Sequence, residues 1–194
     1  MNKVTGIMIV GVGGQGVILA SELLCEAAMR AGYDVKKSEV HGMAQRGGSV
    51  VSNVRFGEKV YSPLISKGEA DILLSFEQLE TLRWLDYIKP EGKIIVNMQK
   101  IMPMAVAIGQ GEYPEDIFGV LKRKTDKIYR VDGLGIATKA GNVKAVNVAI
   151  IGALSNYLDI PEGIWKEVIE NRVPPKTLKI NLTAFEMGRN YGQE

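Results

Sequence analysis

A chain of 194 residues, 46% of them hydrophobic, is long enough to bury roughly 70% of its unfolded surface in one core, with no need of a disulfide or metal staple. Its 24 Lys+Arg against 22 Asp+Glu leave a formal charge of +2, too little for the phosphate attraction on which nucleic-acid binding rests. No apolar run approaches the roughly 18 residues of a membrane span. Met1 to Gly16 also lacks the apolar region and small-residue cleavage site of an export signal, so a cytoplasmic chain that meets neither nucleic acid nor membrane is expected.

Short Val/Ile-rich runs alternate with amphipathic segments, the pattern of strands buried on both faces and covered by helices. The expected fold class is therefore α/β. Val4 to Val12 (VTGIMIVGV) is the first strand, followed by a glycine turn and a helix to about Ala31, where Gly32 gives a stop. A second strand runs near Asp34 to Val40. Gly42 to Gly48 (GMAQRGG), with three glycines in seven residues, is an irregular loop. Ser49 to Phe56 is the third strand, and Gly57-Glu58 with Lys59 to Tyr61 suggests a hairpin that would give the sheet one antiparallel edge. Ala70 to Phe76 leads into a helix from Glu77 to Tyr87, and Lys93 to Met98 follows a Pro90-Glu91-Gly92 turn. Pro114 to Lys124 reads as helix and Lys127 to Asp132 as the last strand. Asn142 to Tyr157, the segment after Pro161 and the segment after Pro174-Pro175 read as helices. No repeat or linker divides the chain, so one domain over 1–194 is expected, with a helical extension from about 142.

Gly11-Val12-Gly13-Gly14-Gln15-Gly16 satisfies GxGxxG directly after a strand and at the start of a helix, the context that gives the motif meaning. Glycines let a ligand approach the backbone, and the helix start offers unpaired N–H groups and a partial positive charge to an anion such as phosphate. The alternative is a tight strand-to-helix turn with no ligand. The whole reads as a Rossmann-like, mostly parallel sheet with helices on both faces and a helical C-terminal part. A nicotinamide site would place an acid about 20 residues on, at the end of the second strand. Lys36-Lys37-Ser38-Glu39 stands there instead: the lysines fit a ribose diol poorly, and Glu39 comes late.

Ser38 to Gly48 (SEVHGMAQRGG) gathers the one His, an Arg, a Gln and a Glu, at the end of a strand where ligands and partners are met. His41 has no neighbour with metal-ligand or nucleophile spacing and reads as a contact residue. Arg46 offers a planar fork to a carboxylate or phosphate. Glu77, just past a strand, either faces the same crevice or complements the dipole of the helix it opens. Cys25, among Leu23, Leu24, Ala27 and Ala28, reads as a buried hydrophobe. As the lone cysteine it excludes an internal disulfide, and a cluster normally takes four thiolates.

GVGGQGV, SEVHGMAQRGGSVVSNVRFG and ADILLSFEQLETLRW, in that order, resemble the gamma-type subunits of 2-oxoacid:ferredoxin oxidoreductases, most closely the small subunit of the indolepyruvate type. The resemblance spans nearly the whole chain. It implies oxidative decarboxylation of a 2-oxoacid to an acyl-coenzyme A with ferredoxin as electron acceptor. Thiamine diphosphate, magnesium and the iron–sulfur clusters would sit on a larger partner subunit, with no catalytic residue or metal ligand in this chain. The part left to this chain is to complete the substrate or coenzyme A channel and to offer a large assembly interface, with coenzyme A as one option for a ligand. Carried over by motif position, Gly11, Gly13, Gly14, Gln15 and Gly16 are the phosphate turn. Glu39, His41, Gln45, Arg46, Gly47, Gly48 and Glu77 are the substrate or subunit-interface set. Isolated, the chain is expected to be inactive, with a homodimer as one option. Two rival readings stay open: an NADP-linked oxidoreductase, and a non-catalytic adenine-nucleotide-binding module.

Overall fold

The computed structural model describes residues 4–41 and 48–191. Six strands form one sheet in the order β2-β3-β1-β4-β5-β6: β1 Thr5–Val12, β2 Asp34–His41, β3 Ser49–Gly57, β4 Ala70–Ser75, β5 Ile88–Asn97 and β6 Ile128–Val131. β1, β4, β5 and β6 pair in parallel, while β3 is antiparallel to both neighbours. β2 therefore runs with β1, and five of the six strands share one direction. Every residue of β1 after Thr5 is buried, as expected for a central strand covered on both faces.

The reversed strand is not the edge that the sequence suggested. β3 lies inside the sheet, with Asp34 opposite Gly57 and His41 opposite Val50. A parallel neighbour would need a crossover of a dozen or more residues, and the segment from 42 to 48 is too short for one. Lys59 to Tyr61 forms no strand; the Val60 N–H donates to Asp34 Oδ2 at 2.9 Å instead of to a sheet partner. β5 begins earlier than expected, at Ile88. Its pairing shifts between Ala70↔Ile88 and Ile72↔Lys93, so Pro90-Glu91-Gly92 sits in an irregularity within the strand and not in a turn before it.

On one face, α1 (Val17–Arg30), α5 (Gly133–Ala140), α6 (Val146–Ser155), α7 (Glu162–Arg172) and α8 (Leu178–Asn190) share a core that includes Leu23, Leu24, Ile150, Trp165 and Phe185. On the other, α2 (Gln78–Arg83) and α4 (Ile117–Lys122) border a core of Met8, Val10, Leu73, Ile94 and Val96. A short helix, α3 (Met104–Ala107), lies between β5 and α4. The expected helix to Tyr87 ends at Arg83 and is followed by a 3₁₀ turn, Leu85–Tyr87. The helical C-terminal part starts at Gly133, earlier than 142. It is no appendage, because α6 is buried from Asn147 to Ser155. α6 and α8 cross at glycine: a Cβ on Gly188 would stand 1.9 Å from the Ala149 carbonyl oxygen.

Candidate functional site

β1, β4 and β5 run in parallel, so their carboxyl ends meet at one edge, where Gly13 to Gly16 turn the chain into α1. Gly11 is buried inside β1. The Gly13 N–H donates to the Gly48 carbonyl at 2.8 Å, tying the turn to the start of β3. Gly14 (φ +100°) and Gly16 (φ +80°) are both in the left-handed region, which other residues seldom enter. Gly16 is the N-cap of α1 and supplies no side-chain acceptor, so the first N–H groups of a 14-residue helix are presented without a capping side chain.

Gln15 braces the turn from within. Its Oε1 accepts from the Val12 N–H at 2.8 Å, and its Nε2 donates to the Phe76 carbonyl at 2.9 Å and to Gln99 Oε1 at 3.0 Å. Asn97, 1% exposed at the end of β5, donates to the same two oxygens at 3.0 and 3.5 Å and accepts from the Gly133 N–H at 3.1 Å. These bonds knit β1, β4, β5 and α5 together. They also fix the Gln99 carboxamide by its oxygen, so its NH₂ is the end left for a ligand.

A cavity of about 430 Å³ opens beside the turn, lined by Gly14, Gln15, Gly16, Gln99, Lys144 and Asn147, with Leu134, Val143 and Val146 as its apolar wall. Asn147 is 6% exposed. Its Oδ1 accepts from the Val148 N–H at 3.0 Å, and its Nδ2 has no hydrogen-bond partner among the described residues. The same Nδ2 lies 2.8 Å from where a Cβ on Gly16 would stand, so Gly16 is required for space as well as conformation. Lys144 has no ion-pair partner among the described residues. Helix N–H groups, two carboxamide NH₂ groups and an ammonium make a wall of donors, which suits an anion.

The other expected site residues are placed differently. Glu39, on β2, accepts from Lys37 Nζ at 2.6 Å and from Ser21 Oγ at 3.3 Å; it faces α1 and not the cavity. Glu77, 1% exposed, is a structural clasp, serving the helix it opens. It caps α2 through the Glu80 N–H at 2.9 Å and holds the segment after β5 by the Ile101 N–H at 3.0 Å and the Tyr113 hydroxyl at 2.7 Å. Burial, and then donation to this carboxylate, push the Tyr113 phenol well above its ordinary pKa. His41 closes β2 and Gly48 precedes β3, while Gln45, Arg46 and Gly47 lie outside the described residues. Cys25 is buried, and that burial pushes its thiol up to about 11, in keeping with a core residue.

Sequence reading missed Asn97, Gln99, Lys144 and Asn147. One signal was available: an Asn within the apolar run VNVAIIGAL, at a helix start.

The family model described as pyruvate ferredoxin/flavodoxin oxidoreductase matches residues 6–191. The chain belongs to this oxidoreductase family. Among curated members, the indolepyruvate oxidoreductase subunit IorB of Thermococcus kodakarensis is 44% identical, over 99% of this chain and 98% of its own length. Its namesake from Archaeoglobus fulgidus is 43% identical over 95% and 93%. Among solved structures, the keto/oxoacid ferredoxin oxidoreductase gamma subunit of Geobacter sulfurreducens shares the fold with a TM-score of 0.69 at 24% identity, covering 95% of each chain. A 2-oxoglutarate:ferredoxin oxidoreductase of Magnetococcus marinus, with 2-oxoglutarate, coenzyme A and succinyl-CoA bound, gives 0.76 at 23% identity over 97% of this chain and 31% of that one. The family is one of oxidoreductase subunits, and no described helix of this member is long and apolar enough to cross a membrane.

Proposed function

We propose that this chain is the small subunit of a cytoplasmic indolepyruvate-type 2-oxoacid:ferredoxin oxidoreductase, acting as one gamma-type domain that holds the phosphate end of coenzyme A at the glycine turn. The observation that carries this is the cavity at Gly14 to Gly16, which the largely buried Asn147 lines with its Nδ2 unpaired among the described residues. The names of the 43–44% identical relatives support the substrate. When bound, coenzyme A supplies the thiol that accepts the acyl group. This chain's part is to fix its phosphates, through the turn N–H groups, Asn147 and Lys144, and to orient it by Gln99.

An iron–sulfur cluster does not fit these residues: it takes several thiolates, and the sequence has one cysteine. Among the described residues there is likewise no grouping of three His, Cys, Asp or Glu for a metal. By the chain's resemblance to the gamma-type subunits, thiamine diphosphate, magnesium and the clusters belong to a larger partner, which passes electrons to ferredoxin. Met98, Met102, Met104 and Ile108, exposed on the segment after β5, offer that partner apolar contact. A nicotinamide reading is disfavoured because Glu39 is engaged by Lys37 and Ser21.

The test is reconstitution. The purified chain is expected to show no oxidoreductase activity alone. Activity should appear with a co-expressed thiamine- and cluster-bearing subunit, with coenzyme A-dependent turnover faster on indolepyruvate than on pyruvate. Turnover by the chain alone, or a cluster bound to it in one-to-one ratio, would overturn the assignment.

A further inference from the structure

The sheet has two edges, and they are finished differently. Along β2 the side chains pair with one another, Lys36 with Asp34 at 2.7 Å and Lys37 with Glu39 at 2.6 Å; charged side chains of this kind close an edge to other chains. β6 has no such lacing. The Ile94 N–H donates to the Lys127 carbonyl and the Met98 N–H to the Val131 carbonyl, both at 2.9 Å. The odd-numbered residues of β6 therefore bond to β5, and the even-numbered ones turn their backbone groups outward. The Ile128 N–H is taken by the Asp126 carbonyl at 3.0 Å. The Ile128 carbonyl and both backbone groups of Arg130 have no partner among the described residues. A cavity of about 420 Å³ lies along this edge, walled by Ile128 to Val131, by Ala153 and Tyr157 at the end of α6, and by Tyr191.

We propose that the edge of β6 receives an extended segment of the larger partner subunit as a seventh strand, one in which apolar and acidic residues alternate. Main-chain bonds to Ile128 and Arg130 give the affinity, and the side chains on either face give the selectivity. Tyr129 packs on the α6 side, its ring 4.5 Å from that of Tyr157, so segment residues pointing this way enter the cavity and are apolar. Arg130 belongs to the other face. Its guanidinium lies 3.8 Å from the centre of the Phe118 ring and has no ion-pair partner among the described residues, so segment residues pointing that way meet a cation. Lys122, Arg123 and Lys124, at the amino end of β6, are likewise without ion-pair partners among the described residues. From 122 to 132 five Lys or Arg stand against two Asp, and Asp132 is engaged in capping α5 through the Gly135 N–H at 2.9 Å. A second copy would bring this cationic edge against itself, and like charges facing across strands repel. Charge therefore selects an acidic occupant. This rests on the small-subunit reading and adds to it the place where the partner takes hold.

Amide hydrogen exchange on the full-length chain, alone and co-expressed with the thiamine- and cluster-bearing subunit, tests this. The outward Arg130 N–H is expected to exchange freely in the isolated chain and at least about ten-fold more slowly in the complex. Arg130→Pro removes that N–H without breaking a bond to β5, since proline is tolerated where the N–H faces out of a sheet edge. Arg130→Glu keeps the N–H and reverses the charge. Each should weaken association at least about ten-fold while the isolated chain keeps its fold by circular dichroism. If the complex forms with the Arg130 amide still exchanging freely, or if both variants associate at full strength, the edge assignment falls and the small-subunit reading stands. If slow exchange appears in the isolated chain as its concentration is raised, a second copy takes the edge and the assignment falls. If no complex forms, both fall together.

Discussion

Gln15→Glu removes the brace of the glycine turn with almost no change in shape. The new carboxylate still accepts from the Val12 N–H, but it can no longer donate to the Phe76 carbonyl or Gln99 Oε1, which stand 2.9 and 3.0 Å from the amide nitrogen it replaces. Two net hydrogen bonds of about 1 kcal/mol each are lost, and a charge is set against two oxygens in a partly buried site, so the cost is about 2–4 kcal/mol. Against a total stability of roughly 5–15 kcal/mol, that lowers the melting temperature by roughly 5–15 °C for a chain of this length. The sign of the pH dependence follows. Facing acceptors favours the protonated carboxyl, so its pKa is higher folded than unfolded. Below the unfolded value it donates one of the missing bonds. The deficit is thus smallest in acid and grows as pH rises through the folded value. Urea unfolding of both proteins at acid and neutral pH measures this. A variant within about 0.5 kcal/mol of the parent at neutral pH would refute the role given to Gln15.

Gly188→Ala places a methyl 1.9 Å from the Ala149 carbonyl oxygen, where ordinary contact begins at 3.4 Å, so α8 would have to move off α6 by at least about 1.5 Å. The expected loss is about 3 kcal/mol or more, read by thermal unfolding; a drop of only a few tenths would show that the crossing is slack. Cys25, with its thiol pushed up to about 11 by burial, should react with a thiol reagent at pH 8 far more slowly in the native protein than in denaturant. Equal rates in the two conditions would place it at the surface.

Much of the architecture was legible because buried strands announce themselves. VTGIMIVGV, ADILLSF and KIIVNM are apolar on both faces, and each became a strand of the sheet. Strand direction was not legible in the same way. Nothing local in Ser49 to Gly57 distinguishes a strand paired on one side from one paired on both, and the length of the preceding segment, which forbids a crossover, was the only clue to its reversal. At the site, the glycine turn stood out because φ above zero leaves a signature in composition. Asn147 and Gln99 did not, since they reach the turn from 84 or more residues further on. Glu39 and Glu77 share one ambiguity: in sequence, an acid near a strand end looks alike whether it meets a ligand or a neighbouring lysine and backbone N–H groups.

The insertion of β3 between β1 and β2 bears on which coenzymes the fold can read. In a nicotinamide-binding half the second strand is the direct neighbour of the first, which brings its terminal acid within reach of a ribose bound over the glycines. Here an extra strand moves β2 to twice the usual spacing of about 4.8 Å. The strand order thus sets the end of β2 too far from the glycines to supply that acid. Grafting a fingerprint acid onto Lys37 or Ser38 would put the right group in the wrong place, and engineered NAD binding would have to begin by removing a strand.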